Sequence, residues 1–137
     1  MVDKKSVSTI ILAAGTGDRL GGKGKAFVNI CGETYLDRAV RIFSNFSDQV
    51  IVTLHPKEIL EMRSSFDEYP CQFVEGGDTR QASFEKAFMH VTGSVVLVQD
   101  VARPVISDEL IMTLLKAAED QSAVAPVVVI KSRDSLS

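Results

Sequence analysis

Short apolar runs and amphipathic segments alternate along the whole chain. Runs rich in β-branched residues predict buried strands at residues 7–13, 49–55, 71–74, 94–98 and 123–130. Between these runs, apolar residues recur at helical spacing and predict helices over residues 34–45, 56–69, 79–91 and 107–118. In the third of these helices, the spacing predicts that Ala82, Ala87, Phe88 and Val91 face inward. Strands that alternate with helices are joined by right-handed crossovers, so the pattern predicts an α/β fold with a mostly parallel sheet covered on both faces.

A glycine-rich and cationic stretch directly follows the first predicted strand. Five glycines lie between residues 15 and 24, interspersed with Arg19, Lys23 and Lys25. Glycine permits backbone turns with positive φ, and successive N–H groups in such turns bind anions. Ligands of parallel sheets bind beyond the carboxyl ends of the strands, so this stretch predicts a phosphate site.

The spacing of these glycines separates three kinds of phosphate loop. The dinucleotide-binding pattern G-x-G-x-x-G fails at Leu20, and the P-loop pattern fails because Gly24 stands in place of its magnesium-binding hydroxyl. The pattern L-A-A-G-x-G-x-R-[LM]-G is complete from Leu12 to Gly21, and Lys25 follows it. This stretch resembles the loop of nucleotidyltransferases that join a nucleotide to a sugar or polyol phosphate; the alternative is an ordinary strand-to-helix turn.

Two further predicted strand ends carry polar residues. One leads into Gly77, Asp78 and Ser83, which offer close backbone approach and hydrogen-bonding groups near a helix start. The other places Asp100 after an apolar run, and a carboxylate facing phosphates suits Mg²⁺. Taken alone, each segment also fits a structural turn, with Asp78 or Thr79 capping a helix.

Together the three strand ends resemble those of 2-C-methyl-D-erythritol 4-phosphate cytidylyltransferases. The sequence G-G-D-T-R-Q-A-S at residues 76–83 is similar to their G-G-x-x-R-x-x-S, and V-Q-D-V-A-R-P at residues 98–104 is similar to their V-H-D-A-A-R-P. The resemblance runs from residue 7 to residue 135. It implies a Rossmann-like three-layer α/β sandwich of the nucleotidyltransferase type.

The resemblance also implies a reaction and a set of site residues. The implied reaction transfers CMP from CTP to a polyol phosphate in isoprenoid precursor biosynthesis, releases pyrophosphate and uses Mg²⁺. By the same resemblance Arg19 and Lys25 are catalytic, Asp100 binds the metal, and Arg103 binds the acceptor. The implied nucleotide-binding residues are Ala13, Ala14, Gly15, Gly17, Gly77, Asp78 and Ser83.

Departures from the family pattern leave alternatives open. Gln99 stands in place of the family's histidine, and Val101 in place of an alanine. The lysine region is one residue short, so we predict Lys25 as the catalytic lysine and Lys23 as its alternate. Molybdenum-cofactor guanylyltransferases share that shorter spacing, and ribitol 5-phosphate cytidylyltransferases share most of the motifs. A non-catalytic nucleotide-binding fragment is a further alternative.

The resemblance implies that this single nucleotidyltransferase domain, residues 1–137, is truncated at its C-terminus. In the family, later residues supply a dimer arm, a second metal aspartate and basic groups for the acceptor. We therefore expect a homodimer only in the full-length form. The chain alone is expected to form a partial CTP site, to turn over slowly or not at all, and to expose an apolar patch that favours association.

Composition and charge bear on partners and location. A net charge of −3, with 45% hydrophobic residues, is typical of a globular domain and argues against nonspecific binding of nucleic acid. No apolar run approaches the ~20 residues of a membrane span, and no signal peptide is evident, so we predict a cytoplasmic protein. Cys31 and Cys71 lack metal-ligand spacing and are predicted to be reduced, and His55 and His90 to be solvated or structural.

Overall fold

The computed structural model describes residues 6–13, 29–30, 33–62, 69–100, 108–119 and 127–130. The strands are β1 (Val7–Leu12), β2 (Asn29–Ile30), β3 (Glu33–Thr34), β4 (Gln49–Leu54), β5 (Cys71–Glu75), β6 (Val95–Asp100) and β7 (Val127–Ile130). The helices are α1 (Tyr35–Ser44), α2 (Pro56–Met62), α3 (Arg80–Phe88) and α4 (Asp108–Glu119). Each predicted strand and helix is present at least in part, which confirms the α/β alternation; residues 63–68 of the second predicted helix and 123–126 of the last predicted strand lie outside the described residues. None of these described helices is long and apolar enough to cross a bilayer.

Five strands form one sheet in the order β5-β4-β1-β6-β7, and every neighbouring pair is parallel. The strands β2 and β3 pair separately as a small antiparallel ribbon. From β1 the chain moves outward through β4 to β5, then crosses back to β6 on the other side of β1 and continues to β7. The strand order therefore reverses between β1 and β6, and open α/β sheets bind ligands at such a switch point.

Both faces of the sheet are buried, as a parallel sheet requires. All six residues of β1 are buried, and its apolar residues are divided between two clusters. One cluster holds Ile11 together with Leu36 and Val40 of α1 and Ile111 of α4, and Ile59 of α2 packs against it. The second cluster lies on the α3 face and contains Ile10, Leu12, Ile51, Ala87, Val96 and Val98. The three-layer arrangement is confirmed.

Local side-chain contacts explain where two helices begin. In α1 the hydroxyl of Thr34 accepts a 3.0 Å hydrogen bond from the N–H of Asp37, whose carboxylate accepts one of 3.0 Å from the N–H of Thr34. In α3 the hydroxyl of Thr79 accepts a 3.0 Å bond from the N–H of Ala82. Each such N-cap stabilises its helix by about 1 kcal/mol. Of the two proposed caps for α3, Thr79 is the one used.

The end of α3 differs from the sequence prediction. Helical spacing predicts that Phe88 faces inward, yet it is 42% exposed, so that prediction is wrong. The helix ends at Phe88, and the preceding turn already supplies the inward contacts through Ala87 and Phe84. The Phe88 ring instead lies against Phe84, with ring centroids 5.4 Å apart. Val91 packs against the same cluster from the turn beyond the helix.

The amino ends of the central strands are tied together by side-chain hydrogen bonds. The hydroxyl of Ser8 in β1 donates to Oε1 of Gln49 in β4 at 2.7 Å. The same hydroxyl accepts a 2.9 Å bond from the N–H of Gly93, just before β6. A Cβ at residue 93 would lie 2.7 Å from that hydroxyl oxygen, so only glycine fits there. At this amino end of the sheet, the hydroxyl of Ser8 therefore links β1 to β4 and to the segment before β6.

Candidate functional site

The carboxyl ends of β1 and β6 lie side by side at the switch point. Leu12, the last residue of β1, is paired in register with Asp100, the last residue of β6. The parallel ladder therefore continues two residues beyond the predicted strand end at Val98, through Gln99, which is buried. Asp100 thus belongs to the sheet itself and not to a turn that follows it. Ala13 comes directly after β1 and leads into the glycine-rich stretch.

The N–H of Ala13 is bonded within the protein. Thr53 of β4 is paired in register with Leu12, and its Oγ1 accepts a buried 3.2 Å hydrogen bond from the N–H of Ala13. Ala13 is itself buried, with 5% of its surface exposed. Its N–H therefore stabilises the contact between β1 and β4. The sequence prediction did not identify Thr53, although a lone hydroxyl among the apolar residues of β4 was the available signal.

The turn after β5 is held by hydrogen bonds to β4 and to α3. The N–H of Gly76 donates to the carbonyl of Leu54 at 3.0 Å, which extends the contact between β4 and β5 by one residue. The N–H of Gly77 donates to the hydroxyl of Ser83 at 2.9 Å. Ser83 is fully buried, so its hydroxyl fixes the turn to the first turns of α3. Asp78 lies in the same turn and is exposed, so a ligand can reach it.

Packing requires glycine at residue 77. A Cβ at this position would lie 2.4 Å from Cβ of Ala82 and 3.0 Å from its carbonyl carbon. Real Cβ atoms do not come as close as 2.4 Å to another carbon, so any larger residue would push the turn away from α3. The sequence prediction assigned this glycine to close approach by a base. The structure gives it a second reason, which is close approach by a helix.

β4 connects the two halves of the candidate site. Its last two residues, Thr53 and Leu54, accept hydrogen bonds from Ala13 on one side and from Gly76 on the other. Because all of these strands are parallel, their carboxyl ends share one edge of the sheet. Ala13 and Asp100 therefore lie at the same edge as the Gly77 turn, with β4 between β1 and β5.

Several predicted site residues lie outside the residues that the structure describes. These are Ala14, Gly15, Gly17, Arg19, Lys25 and Arg103, together with the alternate lysine, Lys23. Both histidines are described and exposed, as predicted. Nδ1 of His55 accepts a 3.2 Å bond from the N–H of Lys57, while His90 lies in the turn after α3.

Comparison with known sequences identifies the family. The family model described as "IspD: 2-C-methyl-D-erythritol 4-phosphate cytidylyltransferase" matches residues 7–136 of the chain. The chain belongs to this family. The resemblance predicted from the three strand-end motifs is therefore confirmed.

Curated members of the IspD family show how much of such a protein the chain represents. It is 38% identical over 126 residues to the 2-C-methyl-D-erythritol 4-phosphate cytidylyltransferase of Thermus thermophilus, covering 89% of this chain and 54% of the relative. Against the protein of the same name from Deinococcus radiodurans, identity is 36% over 110 residues, covering 80% and 45%. The chain thus spans about half the length of the curated relatives it matches.

Solved structures of IspD proteins share the fold. The crystal structure of the Thermus thermophilus enzyme matches with a TM-score of 0.66 at 35% identity, over 84% of this chain and 50% of that one. The bifunctional IspDF from Campylobacter jejuni matches with a TM-score of 0.69 at 32% identity, over 81% and 30%. A CMP:2-keto-3-deoxy-manno-octonic acid synthetase complexed with CTP, 15% identical with a TM-score of 0.68 over 86% and 49%, has the same fold. The predicted nucleotidyltransferase-type sandwich is confirmed.

Proposed function

We propose that this chain supplies the nucleotide-binding part of a cytidylyltransferase that acts on CTP and 2-C-methyl-D-erythritol 4-phosphate. In this reaction an oxygen of the acceptor's phosphate attacks the α-phosphorus of CTP, and the bond to the β-phosphate oxygen breaks. The products are a CDP-polyol, used for isoprenoid precursors, and pyrophosphate. The observation that carries the proposal is the switch point between β1 and β6, where Leu12 and Asp100 are paired immediately before the glycine-rich stretch.

The described residues support a nucleotide-binding role for the turn after β5. Gly77 has no side chain, and its N–H is held by Ser83, so the turn keeps one position against α3. A rigid turn without a side chain offers a flat base a preformed backbone surface, which lowers the entropy lost on binding. The carboxylate of Asp78 lies in the same turn. We propose that Gly77, Asp78 and Ser83 recognise cytosine and ribose.

Asp100 has the donor chemistry that Mg²⁺ requires. Mg²⁺ prefers oxygen ligands and commonly takes one or two carboxylates together with substrate phosphates. Among the described residues there is no group of three or more His, Cys, Asp or Glu side chains able to hold a metal ion by themselves. We propose that Asp100 binds Mg²⁺ jointly with the triphosphate, as its donor chemistry allows. When bound, the ion would neutralise charge on the phosphates.

The remaining roles rest on the family's motifs. We propose that Arg19 and Lys25 stabilise the negative charge that develops around the α-phosphorus and that Arg103 binds the acceptor's phosphate. Such a displacement depends on positioning and charge stabilisation, so it needs no nucleophilic side chain. Ala13, Ala14, Gly15 and Gly17 are proposed to hold the triphosphate.

The proposal extends to the setting of the whole enzyme. We propose a homodimer in the full-length form and a cytoplasmic location, with neither membrane nor nucleic acid as a partner. The homodimer rests on the family resemblance alone. The other proposals are supported by the net charge of −3, which disfavours polyanion binding, and by substrates that are small and water-soluble.

Thermal unfolding with Mg²⁺ and each of CTP, UTP, ATP and GTP tests the proposal. A ligand present at 100 times its Kd stabilises the folded state by about 2.7 kcal/mol, which raises Tm by several degrees. We expect this shift with CTP alone. A shift with GTP alone would favour the guanylyltransferase alternative, and no shift with any nucleotide would contradict the proposal.

Pyrophosphate release identifies the acceptor. We expect faster release from CTP with 2-C-methyl-D-erythritol 4-phosphate than with ribitol 5-phosphate, and the reverse order would favour the ribitol alternative. Binding of CTP without release from either acceptor, even after completion of the chain to the length of its relatives, would favour the non-catalytic alternative.

A further inference from the structure

Thr53 places a hydroxyl at the point where the chain leaves β1. Its side chain is fully buried, and Oγ1 accepts the N–H of Ala13 at 3.2 Å. The β1–β4 register ends with the pair Leu12 and Thr53, and the β1–β6 register ends with Leu12 and Asp100. Ala13 is therefore the first residue of the chain beyond both ladders.

A hydroxyl at this position has a specific consequence. Valine has nearly the same shape as threonine, and β4 already carries fully buried valines at residues 50 and 52. A buried N–H needs an acceptor, however, and the N–H of Ala13 donates to the hydroxyl of Thr53. The hydroxyl of Thr53 therefore holds Ala13 beside the end of β4.

We propose that Thr53 is a positioning residue for nucleotide binding, acting through the backbone of Ala13. The proposal rests on the proposed function, in which Ala13 belongs to the CTP site. Loss of the hydroxyl should leave the sheet formed but release Ala13 from its fixed position. The affinity for CTP should therefore fall even under conditions in which the variant remains folded.

Three variants separate positioning from packing. Thr53→Val removes the hydroxyl and keeps the shape, while Thr53→Ser keeps the hydroxyl. Thr9→Val is the matched control: Thr9 is equally buried in a central strand, but its hydroxyl contacts that of Ser47, away from Ala13. The Kd for CTP with Mg²⁺ is measured by calorimetry and the free energy of unfolding by urea denaturation. Trimethylamine N-oxide, which favours folded states, is present in every titration, with folding checked by circular dichroism.

We expect Thr53→Val to raise the Kd about tenfold, equal to about 1.4 kcal/mol. Thr53→Ser should stay within about twofold of the parent, and Thr9→Val should lose stability with no change in Kd. An unchanged Kd in Thr53→Val overturns the Thr53 proposal and leaves the proposed function standing. Equal losses of affinity in Thr53→Val and Thr9→Val also overturn it, because they report a general structural effect.

Two further outcomes are decisive. A parent chain that binds no nucleotide overturns the proposed function, and the Thr53 proposal with it.

Amide hydrogen exchange at Ala13, measured in the parent and in Thr53→Ser, does not require the valine variant to fold. We expect the amide of Ala13 to be strongly protected from exchange in both proteins. If this amide exchanges in the parent as fast as an exposed amide does, the proposal is overturned.

Discussion

The N–H of Gly77 donates a 2.9 Å hydrogen bond to the hydroxyl of Ser83, six residues later in the chain. Ser83 belongs to α3 and is fully buried, so the turn after β5 is fixed to the helix that it introduces. In the proposed function this turn faces the base of CTP. A single hydroxyl therefore contributes both to stability and to the shape of the candidate site.

Removing this hydroxyl should destabilise the fold. In Ser83→Ala the N–H of Gly77 loses its acceptor, and we expect the free energy of unfolding to fall by about 1–3 kcal/mol. Urea denaturation measures the change. Ser94→Ala is the control, because Ser94 is exposed and its replacement should change stability by less than about 0.5 kcal/mol. Equal stability of the Ser83→Ala chain and the parent would contradict this role.

A side chain at residue 77 should clash with Ala82. We expect Gly77→Ala to destabilise the fold by about 1–3 kcal/mol, the usual range for overpacking. Ala82→Gly removes the nearest atom of that clash but costs about 1 kcal/mol as a glycine within a helix. The double variant should therefore be more stable than the sum of the two single changes predicts. A double-mutant cycle from urea denaturation measures this coupling, and strictly additive effects would contradict the contact.

Asp100 should link CTP binding to Mg²⁺. In the parent chain we expect Mg²⁺ to tighten CTP binding, because an ion held by Asp100 would neutralise negative charge on the triphosphate. In Asp100→Asn the Kd for CTP should no longer depend on Mg²⁺. Calorimetric titration with and without the ion measures this, and Asp108→Asn, at an exposed position in α4, should behave like the parent. A Mg²⁺ dependence that survives in Asp100→Asn would remove Asp100 from the metal site.

Cys71 should be an unreactive thiol at neutral pH. Burial raises the pKa of Cys71 from 9.0 to about 12, so the nucleophilic thiolate is scarce in the folded state. In a Cys31→Ser background at about pH 8, we expect a disulfide reagent to react at least about a hundredfold more slowly in buffer than in urea. The further change Cys71→Ser should abolish the reaction. Equal rates in buffer and in urea would show that the thiol is not protected by burial.

The same thiol predicts how stability depends on pH. Because the folded-state pKa lies above the ordinary value, the contribution of the neutral thiol is complete below pH 9.0 and is lost as pH rises towards about 12. The Cys31→Ser chain should therefore lose stability relative to its Cys71→Ser variant over this range. Guanidinium denaturation at several pH values measures the difference, and parallel pH profiles would contradict the raised pKa.

The elements of the fold could be predicted from sequence because their signals are local and repeated. The apolar run from Val7 to Leu12 and the glycines after it identify a buried strand and the edge at which it ends. Helical spacing identifies α1, and its capping threonine lies at the first predicted helical residue, Thr34. The family's motifs stand at strand ends, so the alternation of strands and helices is enough to assign their residues to one edge of the sheet.

The contacts that shape the candidate site could not be predicted from sequence. Thr53 and Ala13 are 40 residues apart, and only the strand register brings them together. The motif assigns Ser83 to the nucleotide, although the structure shows its hydroxyl bonded to Gly77. Helical periodicity places Phe88 inward because it cannot show where α3 ends relative to the sheet. The register between distant strands and the positions of helix ends are set by tertiary packing. The spacing of residues along the sequence does not specify that packing.

The central position of β1 has a consequence for synthesis of the chain. This strand is made first among those described, but its neighbours arrive much later: Ser8 bonds to Gln49, 41 residues on, and to Gly93, 85 residues on. Pairings this distant form slowly, because a long loop must close before any contact rewards it. Until β6 has left the ribosome, one side of β1 presents unpaired N–H and carbonyl groups, which attract other extended chains. The innermost strand of the finished sheet is thus the segment of the nascent chain that most depends on protection.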